Sequence, residues 1–187
     1  MRALHKMSRG TRLVTAAEFE DLPLGDSRHE LVEGQLVAMS PVSFAHGRIV
    51  IQVGSMLHAH VGSRDLGVVV TEVGFVLATN PDTVRAPDIA FVAADRIPPA
   101  NARGFFAGPP DLAVEVTSPE DRATATAARI ADYLRHGTAV VLVVDPERQT
   151  ASVHRRLTPT IVAAADGVID LDDVVPGFRV SVRDVLR

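Results

Sequence analysis

Residues 111–144 leave little choice of fold class, because strand and helix signals follow one another there without a break. Residues 111–117 alternate in the manner of a strand, and residues 139–144 form a continuous apolar run, which is typical of a strand buried on both faces. Between them, Ser118-Pro119-Glu120-Asp121 supplies an N-cap, a proline at the first helical position and two acids at the positive end of the helix dipole. Gly137 ends this helix as a left-handed C-cap. The segment therefore predicts a strand–helix–strand crossover unit.

The rest of the chain predicts further helices and strands around this unit. Thr15 begins a short helix as an N-cap, with Glu18 at the capping-box position. Glu33-Gly34 forms the turn of a predicted β-hairpin, and apolar residues at helical spacing over 46–61 predict an amphipathic helix. Further strands are predicted at 68–70, 73–78, 84–93 and 150–155, all in one sheet with the crossover unit. We expect a single α/β (α+β) domain at 15–187, with a mixed sheet flanked by helices, behind a flexible N-terminus at 1–14.

Composition excludes several classes of protein. Hydrophobic residues make up 47% and charged residues 22% of the chain, so it is neither disordered nor fibrous. No apolar run reaches the roughly 18 residues that a membrane helix needs, and the polar start predicts no secretory signal. There is no cysteine, which excludes disulfides and thiolate sites, and Lys6 is the only lysine. We expect a bacterial or archaeal cytoplasmic protein without membrane contact.

Two carboxylates inside predicted strands are the first candidates for chemistry. Asp88 shares a strand face with Ala90, and Glu115 shares one with Ala113, so each acid lies beside a small side chain on its own strand. Two facing carboxylates repel each other unless a cation lies between them, and an oxygen-preferring divalent ion would supply that cation. Alternatively, each acid is half-exposed at a strand end or pairs with an arginine.

An ordered series of motifs runs along nearly the whole chain. The series consists of His29-Glu30-Leu31-Val32-Glu33-Gly34-Gln35-Leu36, Ser40-Pro41 with His46, Val84-Arg85-Ala86-Pro87-Asp88, residues 108–116, Ser118-Pro119, Tyr133, Gly137 and Val143-Val144-Asp145-Pro146. Within it, Pro87-Asp88 followed by Glu115-Val116-Thr117 resembles the motif of the PD-(D/E)XK nuclease superfamily. The whole series, over about residues 15–185, resembles the Uma-type family of putative restriction endonucleases in that superfamily, which implies a restriction-endonuclease-like fold.

The resemblance implies a metal-dependent phosphodiesterase core. Asp88 and Glu115 would bind Mg²⁺, or Mn²⁺, with help from the main-chain carbonyl of Val116. Glu30 would reach the metal shell directly or through water. His46 would contact phosphate or act as a proton shuttle. The alternative for His46 is that it begins its helix and bonds to the hairpin backbone.

The superfamily lysine is absent two residues after the second acid, where this chain has Thr117. The resemblance implies that the basic group comes instead from the following helix, at Arg129. From Ser118 back to Glu115 is about 10 Å at strand rise, and from Ser118 to Arg129 is about 16 Å at helix rise, so a helix that folds back brings the two close in height. A guanidinium can clamp a phosphate but cannot act as a base. The alternative is a solvated helix arginine, next to a core stripe of Ala123, Ala127, Ile130 and Leu134.

Three functions remain open. The first is a Mg²⁺-dependent endonuclease acting on DNA, with phosphate contacts from an arginine patch despite a net charge of −4. The second is a catalytically weak or inactive module that binds nucleic acid or a protein, and the third is a small-molecule phosphodiesterase or other hydrolase. Phe105-Phe106 in a Pro/Gly-rich loop suggests a homodimer, unless both rings pack onto their own domain. The arginine patch that would contact phosphate in the endonuclease consists of Arg48, Arg85, Arg122, Arg129 and Arg135.

Overall fold

A computed structural model describes residues 12–25, 27–118 and 123–187. Within these ranges, the helices are α1 (Ala16–Asp21), α2 (Phe44–Gly62), α3 (Ala123–Arg135) and α4 (Val182–Leu186). The strands are β1 (His29–Val32), β2 (Gln35–Ala38), β3 (Gly67–Val70), β4 (Phe75–Ala78), β5 (Thr83–Arg85), β6 (Ile89–Ala93), β7 (Phe106–Ala107), β8 (Leu112–Val116), β9 (Val140–Asp145), β10 (Thr150–Arg155), β11 (Ile161–Ala163), β12 (Val168–Asp170) and β13 (Arg179–Ser181).

The described strands form two larger sheets and a ribbon. The main sheet has the order β11-β10-β9-β8-β6-β3, in which β8 and β9 are parallel and the other pairs antiparallel. The second sheet has the order β2-β1-β5-β4-β7, and β12 pairs with β13. The predicted mixed-sheet α+β fold is confirmed, and so is the crossover from β8 through α3 to β9. The prediction that all strands share one sheet is wrong.

Local signals place several helix and strand ends correctly. The Thr15 side chain accepts a hydrogen bond from the Glu18 backbone amide, and the Glu18 side chain accepts one from the Thr15 backbone amide. This pair of bonds is the predicted capping box. Gly137 has φ of +109° after α3, a conformation that an L-residue adopts only with strain. The start of α3 cannot be compared, because Pro119, Glu120 and Asp121 lie outside the described residues, as do residues 1–11 of the predicted flexible N-terminus.

The two faces of the main sheet carry different cores. On one face, Ile89, Leu112 and Val114 pack with the buried side of α2. On the other, Ala90 and Ala113 pack in a cluster with residues of the second sheet and of α3. Each strand of the β6–β8 pair thus alternates between the two cores, as a strand covered on both sides must. The odd-numbered residues of β8, and the even-numbered ones of β6, face the second sheet.

The predicted strand at 84–93 is broken in two. β5 ends at Arg85 in the second sheet and β6 begins at Ile89 in the main sheet. Pro87 has no N–H to donate to a ladder, which explains why pairing stops there. Asp88 therefore lies at the start of a strand rather than in its interior.

The inward face of α3 also differs from the predicted stripe. Tyr133 is fully buried, Ile130 and Leu134 are half-buried, and Ala123 and Ala127 are exposed. The buried face is rotated toward Tyr133 because an aromatic ring removes far more apolar surface from water than an alanine does.

The loop phenylalanines pack against their own chain. The Phe105 ring lies 5.1 Å from that of Phe19, and the Phe106 ring lies 5.1 Å from that of Phe75. Neither ring is an exposed contact surface, so this pair of rings does not support a homodimer, and the homodimer itself stays a prediction. Within the described part of the chain, no helix has the length and apolar character to cross a membrane.

Candidate active site

Asp88 and Glu115 meet where β6 and β8 begin to pair. The register joins Ile89 to Val114 and Ala90 to Ala113, so one further step places Asp88 opposite Glu115. Residues opposite each other on antiparallel strands share a face. The Val116 amide also donates to Asp88 Oδ2 at 2.7 Å, which ties Asp88 to the end of β8. The structure thus brings the two predicted acids together on the face toward the second sheet.

Glu115 is buried and surrounded by donors. Its Oε1 accepts from the Tyr133 hydroxyl at 3.1 Å, and its Oε2 accepts from Arg129 Nη1 at 3.2 Å. Burial raises the pKa of the Glu115 carboxyl from its ordinary value of 4.5 to about 8. The charge of Arg129 opposes that rise, and the negative charges of Asp88 and Glu30 add to it. The acids are therefore close enough to repel one another.

The pKa of Glu115 predicts how stability depends on pH in EDTA. Between pH 4.5 and about 8, the folded carboxyl keeps a proton that the unfolded chain has lost. Its contribution to stability is therefore complete below pH 4.5 and is lost as pH rises through 8, by roughly 1 kcal/mol per pH unit. Urea unfolding of the wild type and of Glu115→Gln across this range measures it. The wild-type curve should fall more steeply with pH, and parallel curves would contradict the prediction.

Glu30 faces the same region from the second sheet. It is fully buried in β1, where its Oε1 accepts from the Ala86 amide at 3.1 Å and its Oε2 from Arg85 Nη1 at 2.6 Å. Arg129 Nε lies 3.6 Å from the same Oε2. Arg129 consequently bridges Glu30 on one sheet and Glu115 on the other.

Arg85 and Asp132 complete this network, which was not predicted from the sequence. Arg85 donates to Asp132 Oδ2 through Nε at 3.0 Å and through Nη2 at 2.5 Å, in addition to its bond to Glu30. Its inclusion in a phosphate-binding patch is therefore wrong, because the guanidinium is enclosed by two carboxylates. One sequence feature could have indicated this contact: Arg85 lies within an apolar strand pattern, and a buried arginine requires an acidic partner.

Arg48 and Arg135, two other members of the proposed arginine patch, do not line the cleft at the acids. Arg48 donates to the carbonyl of Leu186 at 2.9 Å, and Arg135 is exposed in the last turn of α3. Arg122 lies outside the described residues. Of these arginines, Arg129 is the one that the structure places at the acids and at the cleft beside them.

His46 lies in the first turn of α2 and contacts Asp88. Its Nε2 is 3.2 Å from Asp88 Oδ1, and its backbone amide is held by the Ser43 side chain, the N-cap of the helix. A carboxylate has no proton to give, so the hydrogen in this contact belongs to Nε2. His46 therefore orients Asp88, whose other oxygen is already held by Val116.

A cleft of about 430 Å³ opens beside these residues. The loop between β2 and α2 forms one wall, and residues around the two acids form the other. The lining includes Arg28, Met39, Ser40, Pro41, Val42, His46, Asp88, Val116, Ser118 and Arg129. A ligand in this cleft would meet Asp88, His46 and Arg129 together.

Asp88 and Glu115 would suit a magnesium ion better than a metal ion whose ligands all come from protein side chains. Over the described ranges, no group of three or more His, Asp or Glu side chains is arranged to hold a metal ion. Mg²⁺ commonly uses only one or two carboxylates and completes its shell with water and substrate phosphate. Asp88 and Glu115 meet that smaller requirement, and their mutual repulsion is relieved by a cation between them.

The mixed sheet and its flanking helices place the chain in the restriction-endonuclease-like class of α+β proteins. The chain belongs to the Uma2 family, described as "putative restriction endonuclease", whose family model matches residues 16–183. It is similar in fold to a crystal structure of a "putative nuclease belonging to DUF820" from Anabaena variabilis, with a TM-score of 0.82 and 24% identity. The match covers 92% of this chain and 97% of that one. No curated protein matches.

Proposed function

We propose that the chain is a metal-dependent endonuclease that hydrolyses DNA phosphodiester bonds. The observation that carries this proposal is the position of Asp88 opposite Glu115, one step beyond the paired residues of β6 and β8 and beside a cleft with an arginine in its wall. Membership of a family described as restriction endonucleases supports the same reaction.

Asp88 and Glu115 would hold Mg²⁺ or Mn²⁺, together with the Val116 carbonyl. When bound, the ion would activate a water, orient the scissile phosphate and stabilise the leaving oxygen. His46 fixes the direction of the Asp88 carboxylate, as outer partners of metal ligands commonly do. Glu30 would contribute to the metal shell through water or, by its contacts, hold the basic groups in place.

Arg129 and Arg28 would contact the substrate backbone. Both line the cleft, and the planar guanidinium of an arginine can bond to two phosphate oxygens at once. Because a guanidinium keeps its proton, Arg129 cannot deprotonate an attacking water. It acts as a clamp for the phosphate and a counter-charge for the transition state.

Cleavage of supercoiled plasmid by the purified protein tests the proposal. We expect nicked or linear DNA with Mg²⁺ or Mn²⁺ and none in EDTA. Linear duplex, single-stranded DNA and bis-p-nitrophenyl phosphate serve as parallel substrates. Hydrolysis of the small phosphodiester alone would contradict a nuclease and support the small-molecule hydrolase.

A non-catalytic module on the same fold is the second candidate. The observation that favours it is the engagement of Glu115 by Arg129 and of Glu30 by Arg85, since both acids already have internal cations. A ligand that binds the folded state raises its melting temperature, so a titration with Mg²⁺ or Mn²⁺ separates the two functions. A rise supports the nuclease site, and an unchanged melting temperature supports the module.

A further inference from the structure

Arg129 contacts the acid that the proposed metal ion would need. Its Nη1 lies 3.2 Å from Glu115 Oε2, while the other carboxylate oxygen, Oε1, is held by the Tyr133 hydroxyl at 3.1 Å. Its Nε lies 3.6 Å from Glu30 Oε2. Both oxygens of Glu115 are thus engaged, and the negative charge that would attract a metal ion already has the guanidinium beside it.

Two cations cannot both lie beside the Glu115 carboxylate at low cost. A bound Mg²⁺ lies about 2.1 Å from each ligand oxygen, so it would stand next to the guanidinium in a site largely removed from water. The repulsion disappears only if Arg129 moves. We propose that Arg129 is an exchangeable counter-ion, which pairs with the ionised Glu115 carboxylate until a divalent cation binds and then turns into the cleft to hold the substrate phosphate. This inference rests on the proposed nuclease function.

The surroundings of Arg129 allow this exchange. Its side chain is 18% exposed and lines the cleft, and its Nη2 contacts the soft sulfur of Met39 at 3.1 Å. When Arg129 leaves, Glu30 is still bonded to Arg85 and to the Ala86 amide, so no buried carboxylate is left without a partner there. Glu115 loses one cation and gains another.

Of the two arginines that contact Glu30, Arg85 would keep its position when Arg129 moves. Its side chain is 7% exposed and is held by Glu30 and Asp132 at distances of 3.0 Å or less. A similar movement of Arg85 would take from buried Glu30 its shortest contact, at 2.6 Å, and from half-buried Asp132 both of its guanidinium contacts. The two arginines therefore have different functions although both touch Glu30.

Calorimetric titration with Mg²⁺, without DNA and at about pH 9 so that carboxyl protonation does not compete, tests the exchange. Arg129→Gln should bind Mg²⁺ about tenfold more tightly than the wild type, because the competing charge is gone. Arg129→Lys, which keeps the charge, should stay within about threefold of the wild type. The matched control is Arg135→Gln, an exposed position on the same helix, which should leave the affinity unchanged.

The outcomes separate this inference from the proposed function. If the wild type binds Mg²⁺ and Arg129→Gln binds it equally or more weakly, the exchange is overturned but the proposed nuclease function is not contradicted. No binding by the wild type would overturn both. Should Arg129→Gln fail to fold, ¹⁵N-arginine NMR of the wild type provides the measurement. We expect Mg²⁺ to shift the Arg129 Nε signal and leave that of Arg85 in place, and an Arg129 signal that does not respond at saturation would overturn the exchange.

Discussion

Asp88→Asn should abolish metal-dependent DNA cleavage, with kcat/KM reduced about a thousandfold or more. The substitution keeps the shape of the side chain and its oxygen toward the Val116 amide, but it removes one of the two charges that would hold the ion. A thousandfold loss corresponds to about 4 kcal/mol of transition-state stabilisation, which is the size expected when a charged group at the reacting centre is lost. Plasmid cleavage at saturating Mg²⁺ measures it.

Asp95→Asn is the matched control for this loss. Asp95 follows the other end of β6 and is exposed, so the same change in charge occurs away from the cleft. We expect its activity to stay within about twofold of the wild type. Thermal unfolding of both variants shows whether either is misfolded. An Asp88→Asn protein that is folded and cleaves within tenfold of the wild-type rate would rule out Asp88 as a metal ligand.

Arg85→Met should lower the free energy of unfolding by about 3–5 kcal/mol, which is the usual cost of removing one partner from a buried ionic network. Methionine fills a similar volume, but Glu30 and Asp132 lose the guanidinium that pairs them. Urea unfolding at pH 7 measures the change. Arg148→Met is the control, because Arg148 is 80% exposed and its ion pair with Asp145 is worth about 1 kcal/mol or less.

Two further substitutions distinguish loss of charge pairing from loss of packing. Adding Glu30→Gln and Asp132→Asn to Arg85→Met removes the two unpaired charges, and we expect the triple variant to recover much of the lost stability. Recovery would assign the effect to the carboxylates. A single Arg85→Met variant as stable as the wild type would show that this network does not stabilise the fold.

The part of the site that the sequence could predict is the part set by strand alternation. Asp88 and Glu115 each lie within an apolar strand pattern of period two, and this pattern alone fixes the face on which each side chain lies. Glu30 and Arg129 were predicted as site residues by the family resemblance and not by strand alternation. The Arg85–Asp132 pair joins residues 47 positions apart on a strand and a helix, and no local pattern encodes which acid a buried arginine meets.

The errors in the predicted fold have the same cause, because they too concern contacts between distant segments. The apolar residues on either side of Pro87 continue the strand pattern, so one strand was predicted where the chain passes from one sheet to the other. On α3, the alanines suggested a stripe that helical spacing permits, while Tyr133 takes the buried position through its ring and its bond to Glu115. Sheet membership and helix rotation are settled by contacts between distant segments, which a local pattern does not contain.

Only Ala86, Pro87 and Asp88 separate β5 in one sheet from β6 in the other. The amide of Ala86 is bonded to Glu30, and Asp88 is bonded to Val116, so this short link is tied down on both sides. Any slippage between the two layers moves Asp88 with it. Substitutions that loosen the packing between the two sheets are therefore expected to displace Asp88 while the chain still folds.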